Sequence, residues 1–186
     1  MKLELAKSAG FCYGVRRAVH MAEQAAAEGR PCVMLGPVIH NNSVIEYLKE
    51  QGVGLIHNPE EATPGTAVII RSHGEGKAAY EALEKQGCPL IDATCPNVSR
   101  IHQIVSQAEA DGRQVIIIGT PTHPEVEAIA GWCVHPLVFE GVEELSVWLE
   151  QMPEHRCQPV TMVSQTTSTR AIWDKCVEKA KKECTN

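Results

Sequence analysis

The 186-residue sequence lacks an excess of positive charge and lacks a long hydrophobic segment. It has 17 basic and 23 acidic residues, a formal net charge of −6 at pH 7, which argues against binding to nucleic acid or to a membrane surface by bulk electrostatics. Residues 1–8 contain no apolar core of signal-peptide length, and no stretch approaches the roughly 20 apolar residues of a membrane span. We therefore expect a cytoplasmic protein that binds neither nucleic acid nor membrane and that holds any anion by local groups.

The sequence also lacks closely paired cysteines. Its eight cysteines include no C-x-x-C pair, so neither a zinc ribbon nor a thioredoxin motif is expected. Without a secretory signal, a disulfide framework is not expected either. Because free cysteine is among the most buried residue types, we expect Cys32 and Cys88, at the starts of apolar runs, and Cys176, on a helical face, to be packing residues.

The sequence does contain a regular alternation of short apolar runs and helical patterns. Runs typical of buried parallel strands occur at 32–36, 53–56, 66–70, 89–92, 115–118, 137–139 and 159–163. Helical spacing of apolar residues separates them, and this alternation predicts an α/β fold with parallel sheets and right-handed crossovers. A boundary near 96–98 gives two small α/β domains of three or four strands each, at 14–96 and 97–186, preceded by an N-terminal strand and loop at 1–13. Leu3–Ala6 is the predicted N-terminal strand, and Asn42 is predicted to cap the helix after the first apolar run.

Two cysteines occupy the same position in this pattern. Cys95 follows an apolar run and precedes Pro96, which can open a helix, and Cys12 stands just before a predicted helix. Ligands bind at the carboxyl ends of the strands of an open parallel sheet, and a helix N-terminus favours the thiolate that metals require. Gly10 and Gly14 flank Cys12 and would let the backbone approach a bulky ligand closely.

Polar side chains follow the other predicted strands at the same edge: His40 with Asn41, His73, His123, Glu125, and Thr166 with Thr167. Imidazoles beside helix N-termini are suited to bind a phosphate or a diphosphate, and Asn41 can add hydrogen bonds. Two thiols that are remote in sequence indicate a shared metal or iron–sulfur cluster. Glu125, close to His123 in sequence, is a candidate proton donor if a partly dry pocket raises its pKa.

Six segments together resemble a known motif series: Gly10–Val15, Ile39–Asn41, Ser72–Gly74, Asp92–Pro96, Thr122–Val126 and Ser164–Thr167. In their order and spacing they resemble the motifs of the 4-hydroxy-3-methylbut-2-enyl diphosphate reductase (IspH/LytB) family. The resemblance extends over the whole chain. It implies the reductive dehydroxylation of (E)-4-hydroxy-3-methylbut-2-enyl diphosphate to isopentenyl and dimethylallyl diphosphate, in the non-mevalonate isoprenoid pathway.

The resemblance also implies roles for individual residues. In that family three cysteines hold a [4Fe-4S] cluster, and Cys12 and Cys95 match the first two. By the same resemblance the diphosphate is bound by His40, His73 and His123. Asn41 and Thr166 are predicted as further substrate-binding residues. Glu125 is implied to be the catalytic proton donor, assisted by Thr166, and a ferredoxin or flavodoxin is implied to supply the electrons.

The chain departs from the family pattern in length. Family members have a third α/β unit, and the third cluster cysteine and a later Ser-x-Asn diphosphate motif lie beyond Asn186. The chain therefore resembles the first two of three domains, with segment 1–13 expected to pack against the third. We expect a truncated portion of the reductase that lacks the third cluster ligand and is inactive in isolation.

Two other functions are compatible with parts of the pattern. A zinc-dependent hydrolase could use His123, Glu125 and another histidine, although His-x-Glu lacks the spacing of the HExxH motif. A phosphate-binding α/β module with incidental cysteines is the second alternative. Stoichiometric zinc would favour the first, and tight diphosphate binding that is unaffected by thiol substitution would favour the second.

Overall fold

The computed structural model describes residues 3–4, 6–7, 9–151 and 158–184. The chain divides into two compact units: the first unit takes in Met1–Ser72 and Ala82–Pro96, and the second unit takes in His73–Glu81 and Asn97–Asn186. None of the helices in the described ranges is both long and apolar enough to cross a membrane.

Strands and helices alternate along almost the whole chain. In chain order the elements are α1 (Tyr13–Ala27), β1 (Cys32–Leu35), α2 (Asn42–Glu50), β2 (Gly54–Ile56), β3 (Ala67–Ile70), α3 (Lys77–Lys85), β4 (Leu90–Asp92), α4 (Pro96–Ala110), β5 (Gln114–Ile118), α5 (Pro124–Ala130), β6 (Leu137–Phe139), α6 (Val142–Gln151), β7 (Val160–Ser164) and α7 (Arg170–Glu183). A short 3₁₀ helix at Pro59–Glu61 follows β2.

The first unit is built on a four-stranded parallel sheet with the order β2-β1-β3-β4. β3 lies between two neighbours, and all four of its residues are buried, as its uninterrupted apolar sequence predicts for a central parallel strand. Ala18, Ala22 and Ala25 of α1 pack in one cluster with Met34 and Ile69 of the sheet. Their small side chains let α1 lie close to the sheet, which brings its N-terminus to the carboxyl ends of the strands.

The second unit is built on a three-stranded parallel sheet with the order β6-β5-β7. Alternate residues of the central strand β5 point to opposite faces: Ile116 and Ile118 pack with α6 and α7, whereas Val115 and Ile117 pack with α4 and α5. Helices therefore cover both faces of this sheet, as the all-parallel order requires. The predicted fold class, α/β with two parallel sheets, is confirmed.

Two local predictions are wrong. Leu3, Glu4 and Ala6 have no regular secondary structure, and Leu5 lies outside the described residues. A strand needs a partner, and none of the strand pairings in the described part of the chain includes this segment. At the start of α2, the capping residue is Asn41, not Asn42: Asn41 has extended backbone angles, and its side chain accepts a hydrogen bond from the Val44 amide.

Candidate functional site

Cys12 and Cys95 lie in the first unit, each at the start of a helix. Cys12 is the exposed N-cap residue of α1, with extended backbone angles. Cys95 is half-buried and directly precedes α4. Its amide donates a 2.8 Å hydrogen bond to the carbonyl of Ser72, which follows β3. This bond continues the sheet pairing beyond the strands and fixes the backbone from which the Cys95 thiol projects.

Gly14 brings α1 into contact with Cys95. A Cβ atom at Gly14 would lie 2.7 Å from Sγ of Cys95 and 3.2 Å from its Cβ, so only a glycine leaves room for this thiol. Cys12 is two residues away, which keeps its Cα within roughly 7 Å of that of Gly14. The two thiol-bearing segments predicted from the sequence therefore meet. The space at Gly14, expected from the sequence to admit a ligand, holds the Cys95 side chain.

Arg17 joins α1 to the loop that carries Cys95. Its guanidinium donates from Nη1 to the Thr94 carbonyl at 3.1 Å and from Nη2 to the Asp92 carbonyl at 3.3 Å. Oδ1 of Asp92 in turn accepts from the Thr94 amide at 2.9 Å and from the Thr94 hydroxyl. Sequence reasoning missed Arg17. The available signal was its spacing, because residues three apart on a helix share a face and Arg17 is three residues after Gly14.

His40 and Asn41 lie at the start of α2, also in the first unit. His40 is exposed. Oδ1 of Asn41 accepts from the Val44 amide at 3.2 Å, so the Nδ2 amide is the group that can donate to a ligand. Both residues were predicted to bind substrate, and that assignment stays a prediction.

Glu125 is the most deeply buried ionisable side chain predicted to be functional. It lies in the first turn of α5, in the second unit, and is 1% exposed. Oε1 accepts from the Thr166 amide at 2.5 Å, and Oε2 accepts from the Thr166 hydroxyl at 2.8 Å. Both carboxylate oxygens are thus held by one residue in the loop after β7. The structure brings together the two residues that the sequence placed 41 positions apart.

Two histidines that were predicted to bind substrate lie close to Glu125. His123 is the N-cap residue of α5, and its Nδ1 accepts from the Glu125 amide at 3.1 Å. This bond assigns the proton of the neutral ring to Nε2, which becomes a donor. His73 meets His123 edge to face, with ring centroids 5.5 Å apart and an interplanar angle of 86°. His73, His123, Glu125 and Thr166 therefore belong to one connected group of the second unit.

A close backbone contact holds the segment that carries His73. A Cβ at Gly131 would lie 2.5 Å from Cα of Gly76, so the two glycine backbones touch. Nε1 of Trp132 donates to the Glu75 carbonyl at 2.9 Å. Sequence reasoning missed these residues, because nothing local to Gly131 or Trp132 indicates a partner more than 50 positions away.

The other described cysteines differ from Cys12 and Cys95 in environment. Cys32, Cys88 and Cys176 are buried, as predicted. Burial raises the pKa of the Cys32 and Cys176 thiols, and burial together with the charge of Glu109 raises the pKa of Cys133 to about 11. Such thiols form the metal-binding thiolate poorly. Cys157 lies outside the described residues, and among those described no group of three His, Cys, Asp or Glu side chains could hold a metal ion.

Comparisons with known proteins agree with each other. A family profile described as LytB protein matches residues 3–186. Curated relatives named 4-hydroxy-3-methylbut-2-enyl diphosphate reductase include one from Thermoanaerobacter sp. (strain X514), 38% identical over 182 residues, and one from Clostridium perfringens (strain SM101 / Type A), 38% identical over 183 residues. Each alignment covers 96% of this chain, and the chain spans about 62% of the length of these relatives.

Two solved structures share the fold. The structure of (E)-4-hydroxy-3-methyl-but-2-enyl diphosphate reductase, the terminal enzyme of the non-mevalonate pathway, has a TM-score of 0.81 at 36% identity and is matched over 63% of its length by 96% of this chain. The structure of the E-1-hydroxy-2-methyl-but-2-enyl-4-diphosphate reductase from Plasmodium falciparum has a TM-score of 0.86 at 26% identity and is matched over 55% of its length by 95% of this chain. The resemblance carried by the six sequence segments is confirmed at the level of the family. Because the profile match extends over almost the whole chain and both the curated relatives and the fold agree with it, the chain belongs to the LytB family.

Proposed function

We propose that this chain supplies two cluster ligands, the proton donor and diphosphate-binding groups for the reductive dehydroxylation of (E)-4-hydroxy-3-methylbut-2-enyl diphosphate. The reaction consumes two electrons and two protons, releases water, and gives isopentenyl or dimethylallyl diphosphate. The observation that carries the proposal is the Glu125 carboxylate, 1% exposed and bonded through both oxygens to Thr166. Its occurrence in a LytB-family chain supports a proton-donating role, since a buried, oriented carboxyl is what protonation of a leaving hydroxyl requires.

Thr166 connects this carboxyl to solvent-accessible space. Glu125 is buried, whereas Thr166 is exposed, and the Thr166 hydroxyl donates to Glu125. A hydroxyl both donates and accepts. When the carboxyl is protonated, it can give its proton to the Thr166 oxygen while the Thr166 hydroxyl gives its own proton to a substrate oxygen, so the substrate gains one proton and the carboxyl loses one. In this role Thr166 also contacts the substrate.

The histidines are proposed to bind the diphosphate. Nδ1 of His123 accepts from the Glu125 amide, so Nε2–H is the donor that this proposal assigns to the diphosphate. His73, edge to face with His123, adds a second imidazole, and His40 and Asn41 add donors from the start of α2.

The thiols fit an iron–sulfur centre. Cys12 is exposed and Cys95 is half-buried, so both can reach a ligand, and each directly precedes a helix of 15 residues. When bound, a [4Fe-4S] cluster supplies electrons one at a time and a Lewis-acidic iron. We propose Cys12 and Cys95 as two of its ligands, a third cysteine from outside this sequence, and a ferredoxin or flavodoxin as electron donor. The chain alone is then expected to hold the cluster weakly and to show no turnover.

An exchange of segments tests this proposal. The part of the Thermoanaerobacter reductase that matches this chain, 62% of its length, is replaced by residues 1–186, and the chimera is loaded anaerobically with iron and sulfide. We expect turnover of the diphosphate substrate with a reduced viologen as electron source. Glu125→Gln should lower kcat by about 10²- to 10⁴-fold, the usual contribution of a positioned acid.

Glu127→Gln is the matched control, because Glu127 lies on the same helix but is exposed. It should leave kcat within about twofold of the parent chimera, since surface substitutions rarely matter. A folded, iron-loaded chimera without turnover, or one in which both substitutions have the same effect, contradicts the proposal.

A further inference from the structure

We propose that Arg17 is a positioning residue that keeps the Cys12 and Cys95 thiols at the separation needed to bind one metal centre. The inference deepens the proposed function and rests on it for the nature of the centre. Arg17 contacts neither thiol in the described hydrogen bonds. It acts on the backbone that carries one of them.

The guanidinium bridges two carbonyls of one loop. Arg17 donates to the Asp92 carbonyl at 3.3 Å and to the Thr94 carbonyl at 3.1 Å, the latter belonging to the residue directly before Cys95. The planar guanidinium presents its donors in a fixed fork, so two bonds from one group fix both the position and the tilt of the loop. The Asp92 side chain stiffens the same turn from within by accepting from the Thr94 amide and hydroxyl.

Arg17 and Gly14 constrain the loop from opposite directions. Gly14 is in contact with Cys95, since an added Cβ would lie 2.7 Å from Sγ, and this contact sets the closest approach of the loop to α1. The two bonds from Arg17 set the largest separation. Cys12 caps the same helix. One helix turn, which carries a glycine and an arginine on the same face, therefore constrains the distance between the two backbone segments that carry the thiols.

Chemical cross-linking in the cluster-free protein measures this separation directly. Dibromobimane links two thiols only when they are close, and the Cys12–Cys95 cross-linked peptide is quantified by mass spectrometry. Arg17→Met keeps most of the side-chain length and removes the fork. We expect its cross-linking rate to fall about tenfold, the equivalent of about 1.4 kcal/mol. Arg16→Met is the matched control, since Arg16 is the exposed neighbour on α1, and it should react at the wild-type rate.

Iron retention gives a second readout. After anaerobic reconstitution, Arg17→Met should release iron to a chelator about tenfold faster than Arg16→Met, in proportion to the cross-linking effect. Arg17→Lys can reach only one carbonyl and should lie between the two variants in both measurements. A purely structural role of Arg17 would lower the melting temperature without changing the cross-linking rate at a temperature where the protein is folded.

The outcomes separate the inference from the proposed function. Equal cross-linking rates in Arg17→Met and Arg16→Met overturn the role of Arg17, even if the protein binds iron. If Arg17→Met does not fold, Arg17→Lys decides, and a rate equal to that of the wild type overturns the inference. If the wild type binds no iron but cross-linking depends on Arg17, the proposed function fails and the positioning role stands.

Discussion

The carboxyl edges of the two sheets present different groups and hold them in different ways. In the first unit, Cys12 is exposed and Cys95 half-buried, and the described hydrogen bonds act on the backbone around them, through the Ser72 carbonyl and the Arg17 guanidinium. In the second unit, the Glu125 carboxylate is buried and Thr166 holds it by both oxygens. In the first unit the hydrogen bonds hold the backbone and leave the thiols accessible. In the second unit they hold the carboxylate side chain itself.

This difference follows from the chemistry proposed for each edge. A thiol that binds iron must be reachable, and its bonds to the metal supply the final orientation, so a positioned backbone is enough. A carboxyl that donates a proton has no such external guide and must be oriented by the protein before substrate arrives. The same type of strand–helix junction can carry either a metal-binding thiol or a proton-donating carboxyl, because the side chain at the junction can vary without changing the fold.

The largest contrast should appear in the stability of alanine variants at the two edges. Glu125→Ala removes a buried side chain and leaves the Thr166 amide without its partner, which should lower the free energy of unfolding by about 3 kcal/mol. Cys12→Ala should change it by less than about 0.5 kcal/mol, because Cys12 is exposed. Urea unfolding measures both. Glu125→Gln, which keeps an oxygen for the Thr166 amide, should lower the free energy of unfolding less than Glu125→Ala does. Similar losses in Glu125→Ala and Cys12→Ala would show that the two edges do not differ in this way.

The next effect concerns the contact between Gly14 and Cys95. Gly14→Ala would place a Cβ 2.7 Å from Sγ of Cys95, and relieving this overlap should cost about 1–3 kcal/mol. The iron content after reconstitution should fall with it, because the displaced thiol is a proposed ligand. Gly141→Ala is the control, since its Cβ would face only the Glu143 carboxylate at 3.2 Å. Full iron content in Gly14→Ala would show that the spacing at this edge is not critical.

A smaller loss of stability should follow from a change next to residues 73–77, the segment of the second unit that carries His73. Trp132→Phe removes the Nε1 donor to the Glu75 carbonyl but keeps a ring against His102, whose centroid lies 5.3 Å away. The loss of one hydrogen bond should cost about 1 kcal/mol. Amide hydrogen exchange at Lys77, which donates to the Gly131 carbonyl, should quicken by about fivefold, in line with that cost. Unchanged exchange would mean that the Trp132 hydrogen bond does not help to hold the segment.

The smallest effect is a pH dependence that Cys133 contributes. Its pKa is raised from 9.0 to about 11, first by burial and then by Glu109. The unfolded chain therefore loses this proton at lower pH than the folded one, so the contribution is complete below 9.0 and is lost as pH rises towards about 11. Urea unfolding between about pH 8 and 10.5 should show a shallower decline for Cys133→Ala than for the wild type. If the free energy of unfolding falls equally with pH in Cys133→Ala and in the wild type, the pH dependence arises from other groups.

The fold could be predicted from the sequence because local patterns of apolar residues specify its strands and helices. Uninterrupted apolar runs such as 67–70 and 115–118 specify buried parallel strands, and the helical spacing between them specifies the crossovers. The start of α2 escaped prediction by one residue, because Asn41 and Asn42 are equally good caps and only the backbone angles distinguish them. The strand at 3–6 was predicted from composition alone, and strands also require a partner.

Prediction of the candidate site was uneven for the same reason. Residues with reactive side chains at strand ends, such as Glu125 and Cys95, are visible in one sequence. The residues that hold them in place are ordinary in type and distant in sequence: Arg17 reaches a carbonyl 77 positions away, and Gly131 touches Gly76. No periodicity records such contacts, so they become visible only in three dimensions.

The most direct test of the account is the iron and acid-labile sulfide content per chain after anaerobic reconstitution. We expect a labile iron–sulfur chromophore in the wild type that is lost in Cys12→Ser and in Cys95→Ser. Cys184→Ser, which changes a half-buried thiol at the end of α7, should retain it. A chromophore that survives in both Cys12→Ser and Cys95→Ser would contradict the claim that these two thiols bind one iron–sulfur centre.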